Sequence, residues 1–311
     1  MTDRTARKQR SLEIVLPATS ANLGPAFDAA ALAFSMFLKV RAKSANEFSV
    51  TASGRDSEIC SQIENHLILT TYREVLEAEK QPVQPIALGI ENQIPIGKGC
   101  GSSAAARLAG IALAAHFGRL RWSDDHIVYE AARREGHPDN AAACWMGGLA
   151  VSRISADDEM QIAQVKPKGK WPLLLAVPDE SLSTEEARQV LPKQYSRADT
   201  VTNIQNSMLL LAAFVQGRKD LLASAMEDRI HQPFRASLCP LLPALRKLTA
   251  TRGILSSALS GAGPSVLIFL DPKSNVDQTR MRVSQHLQTE GLKAELIHTE
   301  ITPRGASKRI R

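Results

Sequence analysis

Apolar residues along the chain fall into short alternating runs separated by stretches with helical spacing, an order that predicts a mixed α+β protein. Residues 12–16, 34–40 and 48–51 alternate like strands, whereas 67–78 repeat at helical intervals. A strand-like run follows at 85–90, and a helix opens at Ser102–Ser103. A second helix starts near Ser123, a good N-cap, with Asp124 and Asp125 placed to favour its positive end. Residues 148–153 read as a strand closing this half, and the polar, basic stretch 157–170 reads as a crossing between domains. Beyond it come a buried strand at 173–177 and a Ser183/Glu186 capping box. Helices are expected over 200–229 and 241–249, and strands at 253–259 and 265–270 around a Gly-rich turn at 260–264. A helix at 276–289 and a strand at 292–298 finish the chain. Strand–helices–strand–strand–helix–strand is the split βαβ order of ferredoxin-like domains. The expected division is 11–165 and 166–302, with basic, disordered tails at 1–10 and 303–311.

With 311 residues, 44% hydrophobic and 23% charged, the chain can bury two proper cores. Its net charge of +6 invites a nucleic-acid reading, but the excess sits at the two ends. Setting aside Arg4, Arg7, Lys8, Arg10 and Asp3, and Arg304, Lys308, Arg309 and Arg311, takes 38 basic and 32 acidic side chains to 30 and 31. A near-neutral body with 5% aromatics offers no basic groove with stacking platforms, so no nucleic-acid partner is expected. The four cysteines lie far apart, without metal-ligand spacing, and read as reduced thiols. No apolar run is long enough for a membrane span and no signal-peptide core is visible, so a cytoplasmic protein is expected.

The stretch IPIGKGCGSSAAA at 94–106 carries the clearest chemistry. Gly97, Gly99 and Gly101 permit left-handed backbone and close approach to an anion, and Ser102 and Ser103 can cap the helix beginning there. Backbone N–H groups and the helix dipole would converge on one phosphate-sized point, with Lys98 at the rim. The order is neither a Walker A loop nor a dinucleotide fingerprint. A linker leading into a buried Ala-rich helix is the plain alternative.

Two further segments change that balance: PATSANLGPAFD at 17–28 and LSGAGPSV at 259–266. With the loop between them, they resemble, in order, the three motifs of the GHMP kinases, a resemblance that runs from about residue 12 to 299. EGHPDN at 135–140 followed by Gly147-Gly148, TEEARQVLP at 184–192 and DRIHQPFR at 228–235 are similar to the pattern of the homoserine kinases within that family. The resemblance implies a two-domain GHMP fold, with an N-terminal ribosomal-protein-S5-domain-2-like half and a C-terminal ferredoxin-like half. It also implies ATP and Mg2+ as cofactors and phosphorylation of the L-homoserine hydroxyl on a path to threonine, and it allows a homodimer.

The residues it singles out are chemically sensible. Arg188 and Arg235 suit the substrate carboxylate, because a guanidinium fork matches it. Asp28 suits the ammonium. Asn22 and Asn140, with Ser103, are the expected catalytic set, aiming the hydroxyl at the γ-phosphate. His137, Asp139, Thr184 and Gly261 complete the substrate site. ATP is expected on Asn65 and on Pro95, Ile96, Gly97, Lys98, Gly99, Cys100, Gly101, Ser102, Ser103, Ala104 and Ala105. For Mg2+ the expected ligands are Ser102 and Glu130, with Glu135 as the rival acid. Asn140 stands where several family members carry an aspartate, so Asp139 stays open as a base, beside catalysis by positioning alone. Ala26, Cys100 and Ala143–Cys144 depart from the usual pattern without removing a functional group. A kinase for another amino alcohol or hydroxy acid, and a non-catalytic binding protein of the same fold, remain the alternatives.

Overall fold

The alternating N-terminal runs form one long antiparallel hairpin, β1 (Ser11–Asn22) with β2 (Ala26–Ser44). Asn22, Leu23 and Gly24 take positive φ at its tip, so the first motif is a tight turn flanked by strand ends. The computed structural model describes residues 10–251 and 253–310. The first half continues through β3 (Ser49–Gly54), α1 (Ser57–Cys60), α2 (Leu67–Ala78), β4 (Ile86–Asn92), α3 (Ser102–Gly118), α4 (Asp124–Glu135), α5 (Asp139–Met146), β5 (Leu149–Ile154) and β6 (Met160–Val165). The second contains β7 (Pro172–Val177), α6 (Thr184–Gln189), α7 (Arg197–Gln216), α8 (Leu222–Ala225), α9 (Gln232–Arg235), α10 (Leu241–Arg246), β8 (Ile254–Leu259), β9 (Val266–Leu270), α11 (Val276–Thr289) and β10 (Glu295–Glu300).

One sheet runs β3-β4-β2-β5-β6 with β1 also on β2; the other runs β10-β7-β9-β8, the strand order of a ferredoxin-like split βαβ. The Ala-rich α3 is buried along nearly its whole length, including Ala105, Leu108, Ala109, Ile111 and Leu113. Small side chains let it lie close to α2 and the first sheet. The main core continues into the second sheet through Leu173, Leu175, Leu267 and Phe269, which fixes the loops of both halves against one another. Among the described residues no helix is long and apolar enough to cross a membrane.

Three expectations are corrected. The crossing at 157–170 contains β6, an edge strand whose apolar residues are half-exposed and so give a weak alternation. Residues 303–310 are not a solvated tail. Ala306 is buried, Ile310 bridges to Ile14, and the Arg309 guanidinium lies 4.8 Å from the Phe37 ring centre and donates to Thr302 Oγ1 and the Arg304 carbonyl. Arg10 likewise donates to the Phe117 carbonyl at 3.2 Å. Arginine stems and donors can cover a surface as well as solvate it, which a charge count does not distinguish. Residues 1–9 and Arg311 lie outside the described residues.

Candidate active site

The three motifs meet at one cleft. Thr19 N donates to the Cys100 carbonyl at 3.1 Å, Ser260 Oγ donates to the Gly99 carbonyl at 2.8 Å, and Gly261 N donates to the Ala21 carbonyl at 3.2 Å. Gly99, at φ +76, is forced by this contact: a Cβ there would sit 2.1 Å from the Ser260 carbonyl oxygen. Gly101, at φ +71, would place a Cβ 1.9 Å from Thr19 Oγ1. No other residue fits these two positions.

Gly101 is the N-cap of α3, and no side chain caps that helix. Ser102 and Ser103 therefore do not close its N-terminus as expected; they face the cleft instead. The first-turn N–H groups and the positive helix end are left for an anion. Lys98 does not reach the cleft, because its ammonium donates to the Asp179 carbonyl. The Cys100 side chain is buried behind the loop, and burial pushes its thiol up to about 12, so only its backbone serves the site.

On one side of α3's start lies an apolar hollow lined by Leu38, Asn65, Leu67, Ile68, Ile94 and Ile96. On the other is a polar hollow lined by Asn22, Asp28, Asn140, Thr184, Arg188, Arg235 and Gly261, with His137 and Asp139 beside them. Ser102 and Ser103 line both. The expected residues missing from both linings are Pro95, Lys98 and Glu130 among the named site; Ala105 lies one turn inside α3, buried.

In the polar hollow, Arg188 Nη2 donates to Asp28 Oδ1 at 2.7 Å. Asp28, at φ +54, is held by Asn22, whose Oδ1 accepts from Asp28 N at 2.9 Å while its Nδ2 donates to the Gly261 carbonyl at 2.9 Å. Asn22 thus locks two motifs together rather than standing ready for a hydroxyl, a correction to its expected role. Asn140 keeps that possibility: Thr19 Oγ1 donates to its Oδ1 at 2.6 Å, which fixes the amide and turns its NH2 group to other use. His137 Nδ1 donates to Asp139 Oδ1 at 2.8 Å, and Asn140 N donates to the same oxygen at 2.6 Å. Burial pushes the His137 imidazole down, but the bond to Asp139 and the charges of Asp139, Asp28 and Glu135 outweigh it and raise the pKa.

Arg235 is fully buried at the back. Its Nε donates to the Ala187 carbonyl at 2.8 Å and its Nη1 to His231 Nδ1 at 3.1 Å. His231 Nε2 in turn donates to the Gly24 carbonyl at 2.8 Å, so the ring is neutral and links the first motif to the arginine. Phe27 lies against all three: Arg188 and Arg235 are 5.3 and 5.4 Å from its ring centre, and His231 stacks at 5.2 Å. Thr19, Phe27 and His231 were not singled out from the sequence, although each lies inside a motif that was.

Burial pushes His231 down to about 4, with Arg235 adding to it against the pull of Asp228. Between its ordinary 6.5 and about 4 the unfolded chain binds a proton that the native chain refuses. This contribution, on the order of 3 kcal/mol, is full above the upper value and lost as pH falls through the window. Denaturant melts from pH 7 to 5 should show a stability slope that His231→Gln flattens.

The acids are not placed as expected. Glu130 pairs with Arg134 and, at 3.2 Å, with Arg133, and these arginines hold its carboxyl low despite burial. It lines neither hollow, and its carboxylate is held by arginines one turn further along the same helix. Glu135, one turn later at the end of α4, is the acid at the loop: its Oε1 accepts from Ser103 Oγ and from Arg107 Nε, both at 2.6 Å. Among the described residues Asp28, His137 and Asp139 also bring their ligand atoms within 4.8 Å of one another, but Arg188 and the His137–Asp139 bond already satisfy that group.

The arrangement is an anion cradle between an apolar hollow and a pocket holding both signs of charge, and comparison with known proteins agrees. The family models for the GHMP kinase N-terminal domain and the GHMP kinase C-terminal domain match residues 66–148 and 210–289. A homoserine kinase of Solibacter usitatus is 41% identical over 93% of this chain and 94% of its own. One from Deinococcus radiodurans is 34% identical over 95% and 96%. The crystal structure of a homoserine kinase from Cytophaga hutchinsonii superposes with a TM-score of 0.77 at 22% identity, covering 97% of this chain and 96% of that one, a likeness of fold. The chain belongs to the GHMP kinase family, among its homoserine kinases.

Proposed function

We propose that the chain transfers the γ-phosphoryl group of ATP to the side-chain hydroxyl of L-homoserine, giving O-phospho-L-homoserine and ADP. The observation that carries this is the Asp28–Arg188 pair with Arg235 behind it, a pocket matched to an amino-acid zwitterion at the end of a phosphate cradle. An ammonium exchanges onto Asp28 and a carboxylate onto the two guanidiniums, so each charge that separates gains a new partner. Nucleobase and ribose fit the apolar hollow by Asn65, and the phosphates fit the loop from Gly97 to Ala104. Asn140 is the amide best placed to orient the hydroxyl, with Asp139 and His137 held beside it.

A hard divalent cation wants oxygen ligands. Glu135 with the hydroxyls of Ser102 and Ser103 is an all-oxygen set beside the cradle, and Glu135 Oε2 lies outside the bonds to Ser103 and Arg107. These residues fit Mg2+, whose role when bound is to neutralise phosphate charge. Phosphoryl transfer asks mainly for positioning and charge stabilisation, which suits a site without a dedicated base.

A coupled ADP-release assay across homoserine, threonine, serine and mevalonate tests the reading. Homoserine should be strongly preferred. No turnover with millimolar homoserine would sink it, and preference for an amine-free acceptor would assign Asp28 another purpose.

A further inference from the structure

α3 is 17 residues long and carries one arginine, Arg107, with no other Asp, Glu, Lys or Arg. Its neighbours Ala105, Leu108, Ala109 and Ile111 are buried in the core, and the Arg107 side chain is itself only 25% exposed. A charge half-sunk in such a place is stable only with a partner. The partner is Glu135. Arg107 Nε donates to its Oε1 at 2.6 Å, the same oxygen that accepts from Ser103 Oγ at 2.6 Å. Ser103 and Arg107 stand one turn apart along the same side of α3. Glu135, 12% exposed, is the last residue of α4, where the helix carbonyls disfavour a carboxylate. The other arginines of that last turn do not hold it, since Arg133 and Arg134 are paired with Glu130.

We propose that Arg107 is a positioning residue for the cation that accompanies the nucleotide: with Ser103 it fixes Oε1 and the plane of the Glu135 carboxylate, leaving Oε2 for the cation. This rests on the reading of Glu135 as a cation ligand. Two donors on one oxygen, both from α3, tie the carboxylate to the helix whose first turn faces the phosphates. The guanidinium also balances the carboxylate's charge, so an acid can stand beside an anion cradle without repelling what the cradle holds. Arg107 lines neither hollow, so its effect passes through Glu135.

Mn2+ titrated into the protein with ADP present, followed by loss of the free-ion EPR signal, reads the site without turnover. Arg107→Met keeps the stem but removes donor and charge, and should weaken Mn2+ binding about 10-fold. Arg107→Lys keeps the charge without the fork and should fall between this and the wild type; it also preserves the comparison if Arg107→Met does not fold. Glu135→Gln should weaken binding as well, and adding Arg107→Met to it should cost little more, because one residue acts through the other. The homoserine KM at saturating Mg2+ should stay within about two-fold in both Arg107 variants, whereas a loosened α3 would raise it together with the KM for ATP. Full Mn2+ affinity in either Arg107 variant beside a weakened Glu135→Gln overturns the proposal and leaves Glu135 as the ligand. So do additive losses in the double variant. Full affinity in Glu135→Gln itself removes that acid from the cation, and the proposal with it.

Discussion

Replacing Arg235 by alanine should raise the KM for homoserine by about 10²-fold or more while leaving the KM for ATP within a few-fold. The guanidinium is fully buried, and two of its N–H groups are engaged by the Ala187 carbonyl and His231 Nδ1. What reaches the cleft is therefore a charge held in a fixed orientation, with little rotamer freedom left to lose when a carboxylate binds. Lysine would keep the charge but lose the fork and the link to His231, so Arg235→Lys should recover only part of the loss. Alanine also leaves the neutral His231 without its donor, and the melting temperature should fall with it. Initial-rate kinetics with each substrate varied separate the two effects: lost folded fraction lowers apparent kcat for both, whereas lost carboxylate binding appears in the homoserine KM alone. Equal damage to both KM values would remove Arg235 from the substrate site.

How much of this was legible beforehand depended on whether a residue's job is set by its motif or by its neighbours. The expected helices at 67–78 and 276–289 match α2 and α11, because amphipathic spacing alone decides them. The capping box at Ser183 and the cap at Ser123 were legible for the same local reason. The edge strand β6 was not, since a strand stabilised by pairing needs little hydrophobic pattern of its own. At the site, the glycine loop and the arginine motifs named the right segments. Roles inside them did not follow from residue type: Asn22 looked like a substrate ligand but has its amide tied to Asp28 N and the Gly261 carbonyl. His231 carried no signal beyond its motif, because a neutral histidine bridging Gly24 and Arg235 exists only once two segments some two hundred residues apart meet.

The choice between Glu130 and Glu135 turns on the same kind of long-range fact, and it leads to the second large effect. Glu135→Gln should lower kcat by about 10²-fold and shift the Mg2+ dependence to higher concentration. Glutamine keeps an acceptor for Ser103 and Arg107 at nearly the same position, so the loop should stay in place and the loss should report the missing charge. Glu130→Gln should leave kcat within a few-fold, because its carboxylate meets Arg133 and Arg134 and lines neither hollow. Its cost should appear in thermal stability instead, as Arg133 loses its carboxylate partner and Arg134 is left with Glu74 at 3.7 Å. The family resemblance favoured the reverse, and with both acids on one helix a few residues apart, residue type could not choose between them. Measured side by side over a Mg2+ titration, the two variants separate a metal-linked acid from a structural one. If Glu130→Gln carried the Mg2+ shift, the acid at Ser103 would be a brace for the loop and the cation would bind elsewhere.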